Sequence, residues 1–122
     1  MHPDQKELHN VAELDQYLLE SHTRPLVLFK HSYTCGISAE ALDELVEHLN
    51  AAVAAAGLPD PRYAMVTVQT HRNVSNAVTA RLGVRHETPQ ALLVRAGRVV
   101  WSASHFRVTA QAFQQALTHA SQ

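Results

Sequence analysis

The stretch Leu26-Val27-Leu28-Phe29-Lys30-His31-Ser32-Tyr33-Thr34-Cys35-Gly36-Ile37-Ser38 decides how this chain is read. Its first four residues form an unbroken apolar run, and Arg24-Pro25 ahead of them stops any helix arriving from the N-terminal side. Such a run is the pattern of a strand covered on both faces, as parallel sheets require, and it belongs in the middle of a sheet. Polar residues then lead to Cys35, the only cysteine, and a helix-like stretch begins near Gly36. A thiol just ahead of a helix meets backbone N–H groups without intrahelical acceptors and the positive end of the helix dipole. Both favour the thiolate, the nucleophilic form. Cys35 is therefore expected to ionise more readily than a free cysteine, through the helix end first and through Lys30 or His31 second.

Working outward, Asn10-x-x-Glu13 has the spacing of a capping box, and Val11, Leu14 and Leu18 step by three and four, which predicts a helix from Val11 to Ser21. Leu8 and its neighbours before Asn10 suggest a short edge strand. On the other side, Leu42, Leu45, Leu49 and Val53 extend the helix after Cys35 through an alanine-rich segment to Gly57, with Pro59 and Pro61 beyond. Tyr63 to Val68 reads as a second strand, and Val74, Ala77, Val78 and Leu82 mark a helix closed by Gly83. Ala91–Val94 and Val99–Trp101 are joined through Arg95-Ala96-Gly97-Arg98, a link suited to an antiparallel hairpin. Trp101 belongs to the packing of that hairpin. Thr109 caps a last helix carrying Phe113, Ala116 and Leu117.

The order α-β-α-β-α-β-β-α, with a small strand in front, leaves few assemblies once right-handed crossovers are imposed. The fold class expected is α/β: a mixed central sheet of four or five strands with helices on both faces, the layout of a thioredoxin-like fold. Ligands of such open sheets bind at the carboxyl ends of strands, where Cys35 falls. Thr88-Pro89 stands immediately before the strand Ala91–Val94, where thioredoxin-like proteins carry a cis proline opposite the reactive sulfur. The plainer reading of Pro89 is a residue that starts a strand without needing its N–H.

The 122 residues suit a single domain, residues 1–122, large enough to build a core without staples. One cysteine permits no internal disulfide and fits a reducing, cytoplasmic setting. A formal net charge of −1 with interspersed signs points to no nucleic-acid partner and no membrane surface. The N-terminus lacks the apolar core of a signal peptide, and no run approaches the roughly 20 residues that span a bilayer. Nine histidines raise the question of a metal, but none pair at the spacing of a helical zinc motif, so no metal site is expected.

Several short blocks recur in a fixed order: Phe29-Lys30-His31-Ser32, Thr34-Cys35-x-Ile37-Ser38, Ser75-Asn76-Ala77, Gly83-Val84, His86-x-x-Pro89-Gln90 and Ser104-His105. Together, over roughly Leu26 to Phe106, they resemble the monothiol bacilliredoxins of the bacillithiol system, the YtxJ-type, thioredoxin-like family. The resemblance implies thiol–disulfide exchange with proteins capped by bacillithiol, a low-molecular-weight thiol that acts as co-substrate, with no permanently bound cofactor. Cys35 would attack. Thr34, Gly36, Ser38, Lys30 and His31 would support the thiolate, while Thr88, Pro89, His86 and His105 would bind the small thiol, with Arg85 or Arg107 as further carboxylate partners. Ser38 stands where dithiol relatives carry a resolving cysteine. Gly36 departs from the family's usual proline and leaves the helix start less rigid.

Two other readings compete. A monothiol glutaredoxin-like protein holds an iron–sulfur cluster between subunits, and a coloured, iron-containing preparation would reveal it. A non-catalytic adaptor would use Cys35 only as a redox-sensitive switch, and Cys35→Ser would then keep full activity. A Cys-His hydrolase is weaker, since nothing in the sequence sets a histidine and its orienting partner beside Cys35.

Overall fold

A computed structural model describes residues 4–51 and 60–120. Its elements are β1 (Gln5–Glu7), α1 (Val11–Glu20), β2 (Leu26–His31), α2 (Gly36–Ala51), β3 (Arg62–Thr67), α3 (Arg72–Leu82), β4 (Gln90–Arg95), β5 (Arg98–Ser104), a 3₁₀ turn (His105–Arg107) and α4 (Ala110–Ala120). The expected end of the second helix at Gly57 lies outside the described residues. The five strands form one mixed sheet in the order β1-β3-β2-β4-β5. β2 sits in its centre, parallel to β3 and antiparallel to β4.

Two cores explain why the central run had to be apolar throughout. Val27 and Phe29 face one side, where Ala41, Leu45 and Leu49 of α2 and Phe113, Ala116 and Leu117 of α4 close over them. Leu26 and Leu28 face the other, against Leu14 of α1 and Val74, Ala77 and Val78 of α3. The alternation of a strand therefore sends successive β2 side chains into opposite helical layers. β5 lies at the sheet edge, and its half-buried pattern matches a strand with one wet face.

Local signals formed as their chemistry dictates. Asn10 Oδ1 accepts the Glu13 N–H at 2.9 Å, and the Glu13 carboxylate reaches back to the His9 N–H at 2.6 Å, one residue earlier than in a standard capping box. Gly83 closes α3 with a left-handed φ of 64°, the conformation a glycine C-cap supplies. The β4–β5 turn has positive φ at both Ala96 and Gly97, the geometry of a tight hairpin. Both turn N–H groups are taken up by Ser21, Ala96 by its carbonyl and Gly97 by its hydroxyl. Thr109 Oγ1 accepts from the Ala112 N–H at 3.1 Å and caps α4.

The differences from expectation are at element ends. β2 runs two residues past Phe29, because Lys30 and His31 still pair with Val66 and Thr67 of β3. The edge strand lies just before Leu8, whose N–H nonetheless continues the ladder to the Met65 carbonyl at 2.8 Å. The 3₁₀ turn after β5 carried no periodic signal.

Candidate functional site

The carboxyl end of β2 opens into a turn through Ser32, Tyr33 and Thr34 that delivers Cys35 to the start of α2. The Cys35 N–H donates to the Ser32 carbonyl at 3.3 Å, and its own carbonyl accepts from the Ala39 N–H at 3.2 Å. Cys35 is thus the N-cap residue of α2, with Gly36, Ile37 and Ser38 supplying the first helical N–H groups. Its thiol is free and partly exposed. Gly36 has open space where a Cβ would sit, so nothing steric demands a glycine at this point.

Ser38 is fully buried one turn into α2, and its Oγ accepts the Ser32 N–H at 3.2 Å. It therefore braces the turn that carries Cys35 and retains its own O–H proton to give elsewhere. On the outer side, Ser32 Oγ lies 3.3 Å from Thr34 Oγ1. Gln69, in the loop after β3, donates through Nε2 to both hydroxyls, at 3.0 Å to Thr34. Sequence reasoning missed Gln69, because a lone glutamine in a loop shows its role only through a tertiary contact.

The two basic residues at the end of β2 point to opposite faces of the sheet. Lys30 is fully buried, and its Nζ donates to Thr79 Oγ1 of α3 at 3.2 Å and contacts His86 Nδ1 at 3.1 Å. Its head thus lies in the α3 layer, across the sheet from α2. His31 occupies the α2 side, stacked on Phe29 at 6.0 Å between ring centroids, with Nδ1 buried and unpartnered. Burial pushes its imidazole below the ordinary range, the Glu7 carboxylate and the Ser38 backbone acting the other way. Lys30 thus reaches away from the layer of α2, whereas His31 lies on the side of the sheet that α2 covers.

Across from β2, β4 begins directly after Thr88-Pro89, whose peptide bond is cis. The register pairs Lys30 with Gln90, so the Thr88-Pro89 segment continues alongside the end of β2, from which the Cys35 turn departs. Pro89 is buried, and its carbonyl accepts the His105 N–H at 3.0 Å. His105 is exposed and left-handed, with φ 56°, at the head of the 3₁₀ turn. His86 is exposed too, with Nε2 at 3.5 Å from Thr88 Oγ1. The four residues expected to bind a small thiol thus belong to one connected loop system.

Two shallow cavities flank that system. One of about 370 Å³ lies between the first turns of α2 and the 3₁₀ turn, with Ile37, Glu40, Glu44, His105 and Phe106 in its walls. The other, about 430 Å³, has Glu87, Ser104, His105, Phe106 and Arg107 in its walls. The Glu87 carboxyl is held below its usual range by a hydrogen bond from Ser104 and then by His105, Arg85 and Arg107. Phe106, 72% exposed, stands between the cavities, and Tyr33, 62% exposed, lies on the Cys35 turn. Trp101 packs against Phe113 at 5.8 Å, a core role. Among the described residues no three His, Cys, Asp or Glu side chains converge as a metal-binding group, and no helix is long and apolar enough to cross a membrane.

Known proteins share this arrangement. The profile of the family described as monothiol bacilliredoxin BrxC matches residues 6–113. The chain belongs to that family. A solved structure described as a provisional oxidoreductase with a thioredoxin fold is 26% identical, with a TM-score of 0.77 over 93% of each chain. The bacilliredoxin also superposes on oxidised thioredoxin O2 of Arabidopsis thaliana, at 18% identity and TM-score 0.73 over 100% of this chain and 98% of that one. Thioredoxin of Fasciola hepatica, 18% identical, gives 0.69 over 93% and 97%. The fold is that of thioredoxin, and the family assigns the chain to thiol redox chemistry within the bacillithiol system. This bacilliredoxin has a single cysteine, with Ser38 at the third residue beyond.

Proposed function

We propose that this bacilliredoxin removes bacillithiol from protein mixed disulfides, with Cys35 as the nucleophile. The Cys35 thiolate attacks the bacillithiol sulfur of a capped client. A Cys35–bacillithiol disulfide forms, the client–bacillithiol bond breaks, and the client leaves as its thiolate, which takes a proton from solvent. Ser38 offers no second sulfur, so a thiol from solution attacks the bacillithiol sulfur of the adduct, forms a disulfide with bacillithiol, and releases Cys35 as its thiolate. The supporting observation is the placement of a partly exposed sole cysteine at the N-cap of α2, on the turn leaving β2 beside Thr88-Pro89.

Each neighbour has a role consistent with that chemistry. The first N–H groups of α2, from Gly36 onward, stabilise negative charge on sulfur. Thr34 and Ser38 hold the turn. The main chain of Thr88, backed by Pro89, offers its N–H and C=O to the peptide-like part of the small thiol, and His86 and His105 close the sides. A single domain working in the reducing cytoplasm completes the reading.

The decisive experiment presents a bacillithiol-capped client to the wild-type protein and to Cys35→Ser, with a glutathione-capped client in parallel. Release by the wild type alone, with a mass adduct of bacillithiol on Cys35, is the expected result. Equal release by Cys35→Ser would remove the proposal, and equal rates on both clients would remove the preference for bacillithiol.

A further inference from the structure

Lys30 is costly where it stands. Leu26 and Leu28, on the same face of β2, are packed by apolar residues of α1 and α3, and a leucine at position 30 would continue that pattern. Instead the sheet buries an ammonium whose hydrogen-bond partners are neutral, Thr79 Oγ1 and His86 Nδ1, with no carboxylate paired to it among the described residues. Burying a charge with so little compensation is expensive, and such a group at the rim of a binding loop is a sign of use.

We infer that Lys30 is a positioning residue for the small thiol: from the α3 side of the sheet it fixes the tautomer of His86 and, through it, the direction of the Thr88 hydroxyl. The inference rests on the proposed exchange reaction and names how its binding loop is set. An ammonium group has only donors. His86 Nδ1, 3.1 Å away, must accept from it, which leaves the ring proton on Nε2. That Nε2–H faces Thr88 Oγ1 at 3.5 Å, a long contact that conveys direction more than strength. Thr88 Oγ1 then receives, and its own O–H is left to donate away from the protein, beside the backbone offered to the ligand.

The imidazole is suited to this because it stays neutral. Burial, then Lys30, then Arg72 hold His86 below the ordinary range, so Lys30 and Arg72 are the charges that face it. Lys30 is itself lowered by burial. No charge needs to reach Cys35 for this to matter: Lys30 acts on the loop that receives the ligand, while the helix end acts on the sulfur.

The test uses Lys30→Met and His86→Leu, the second at an exposed position, with thermal unfolding confirming that both variants are folded. Initial rates are measured against a bacillithiol-capped peptide, with iodoacetamide alkylation of Cys35 as a measure of sulfur reactivity and ¹⁵N NMR of His86 as a measure of tautomer. Loss of one oriented hydrogen bond predicts a KM raised about five-fold in each variant, with kcat within about two-fold and no further rise in the double variant. Alkylation should be unchanged, and the Nε2–H signature seen in the wild type should weaken in Lys30→Met. A wild-type His86 carrying its proton on Nδ1 would overturn the inference even if Lys30→Met failed to fold. So would an unaltered KM in His86→Leu, an unaltered tautomer in Lys30→Met, or slowed alkylation with KM unchanged, which would return Lys30 to the thiolate. If the wild type ignores the capped peptide, the exchange reading fails, and the tautomer comparison still decides whether Lys30 governs His86.

Discussion

Replacing Ser38 by alanine tests whether this residue is a structural brace, a donor to the thiolate, or both. In the structure the Ser38 hydroxyl is fully buried and accepts the Ser32 N–H at 3.2 Å, while the Ser32 carbonyl in turn receives the Cys35 N–H at 3.3 Å. Alanine removes the acceptor and leaves the Ser32 N–H, in a half-buried turn, without its partner. A net hydrogen bond contributes about 0.5–1.5 kcal/mol, and leaving a buried donor unpaired costs about 1–3 kcal/mol, so the partial burial of Ser32 places the loss near 1.5 kcal/mol. For a chain of 122 residues this corresponds to a Tm lower by about 6 °C. Thermal unfolding read by circular dichroism gives that number, and the pH profile of Cys35 alkylation, taken on the same variant, gives the other. A brace alone lowers Tm and leaves the profile where it was. A donor to sulfur moves the profile towards higher pH as well. A Tm within about 1 °C of the wild type would refute the reasoning, since the buried contact to Ser32 would then be worth nothing.

Other perturbations read other parts of the molecule. Acid should destabilise the fold before any carboxylate titrates: burial lowers His31, His48 and His86, so the unfolded chain binds protons more readily, and the stability they contribute is complete above about pH 6.5 and is lost as pH falls from there through their folded values. Urea midpoints at pH 8, 7, 6 and 5 test this, and a midpoint that holds or rises between pH 7 and 5 would contradict it. Phe113→Ala should cost about 3–5 kcal/mol by chemical denaturation, because its buried ring stacks on His48 at 5.4 Å and meets Trp101 at 5.8 Å; a loss below about 1 kcal/mol would mean that this layer is not packed as described. The two helix glycines should respond with opposite signs to alanine, Gly36 gaining about 0.5–1 kcal/mol where a Cβ meets open space and Gly83 losing about 1 kcal/mol at its φ of 64°. Equal signs in denaturant melts would remove that distinction.

What could be read from the sequence was whatever an isolated pattern controls. The apolar run Leu26–Phe29, the Asn10 and Thr109 caps and the Gly83 stop each act within a few residues, and each formed as its local chemistry requires. The placement of Cys35 followed from the same logic, since a strand end and a helix start fix the residue between them. Illegible were the contacts that close over distance. Gln69 reaches the Cys35 turn from the loop after β3, Thr79 meets Lys30 from α3, and Glu87 is drawn to Ser104, yet each is an ordinary polar residue in its own neighbourhood. The end of β2 was hidden for a related reason: Lys30 and His31 break the apolar pattern while the backbone goes on pairing with β3.

Lys30 and His31, each read from the sequence as a candidate secondary support for the thiolate, stand on opposite faces of the sheet, as the strand pattern already implies. Consecutive residues of a strand point to opposite faces, so two neighbours in β2 cannot both reach the layer that holds α2. Val27, Phe29 and His31 belong to that layer, and Leu26, Leu28 and Lys30 to the one with α3. The pleat thereby separates two tasks within one strand end. On the α2 side a buried His31 stacks on Phe29 at the strand end from which the Cys35 turn departs. On the α3 side the buried Lys30 ammonium contacts His86 of the loop before Pro89. Because the strand carries both, a one-residue shift in its register would exchange the two side chains and disable both arrangements at once, and β2 is pinned against such a shift by ladders on both edges. The central position of this strand is thus what lets a single sulfur, without an internal partner, sit beside a loop set independently of it.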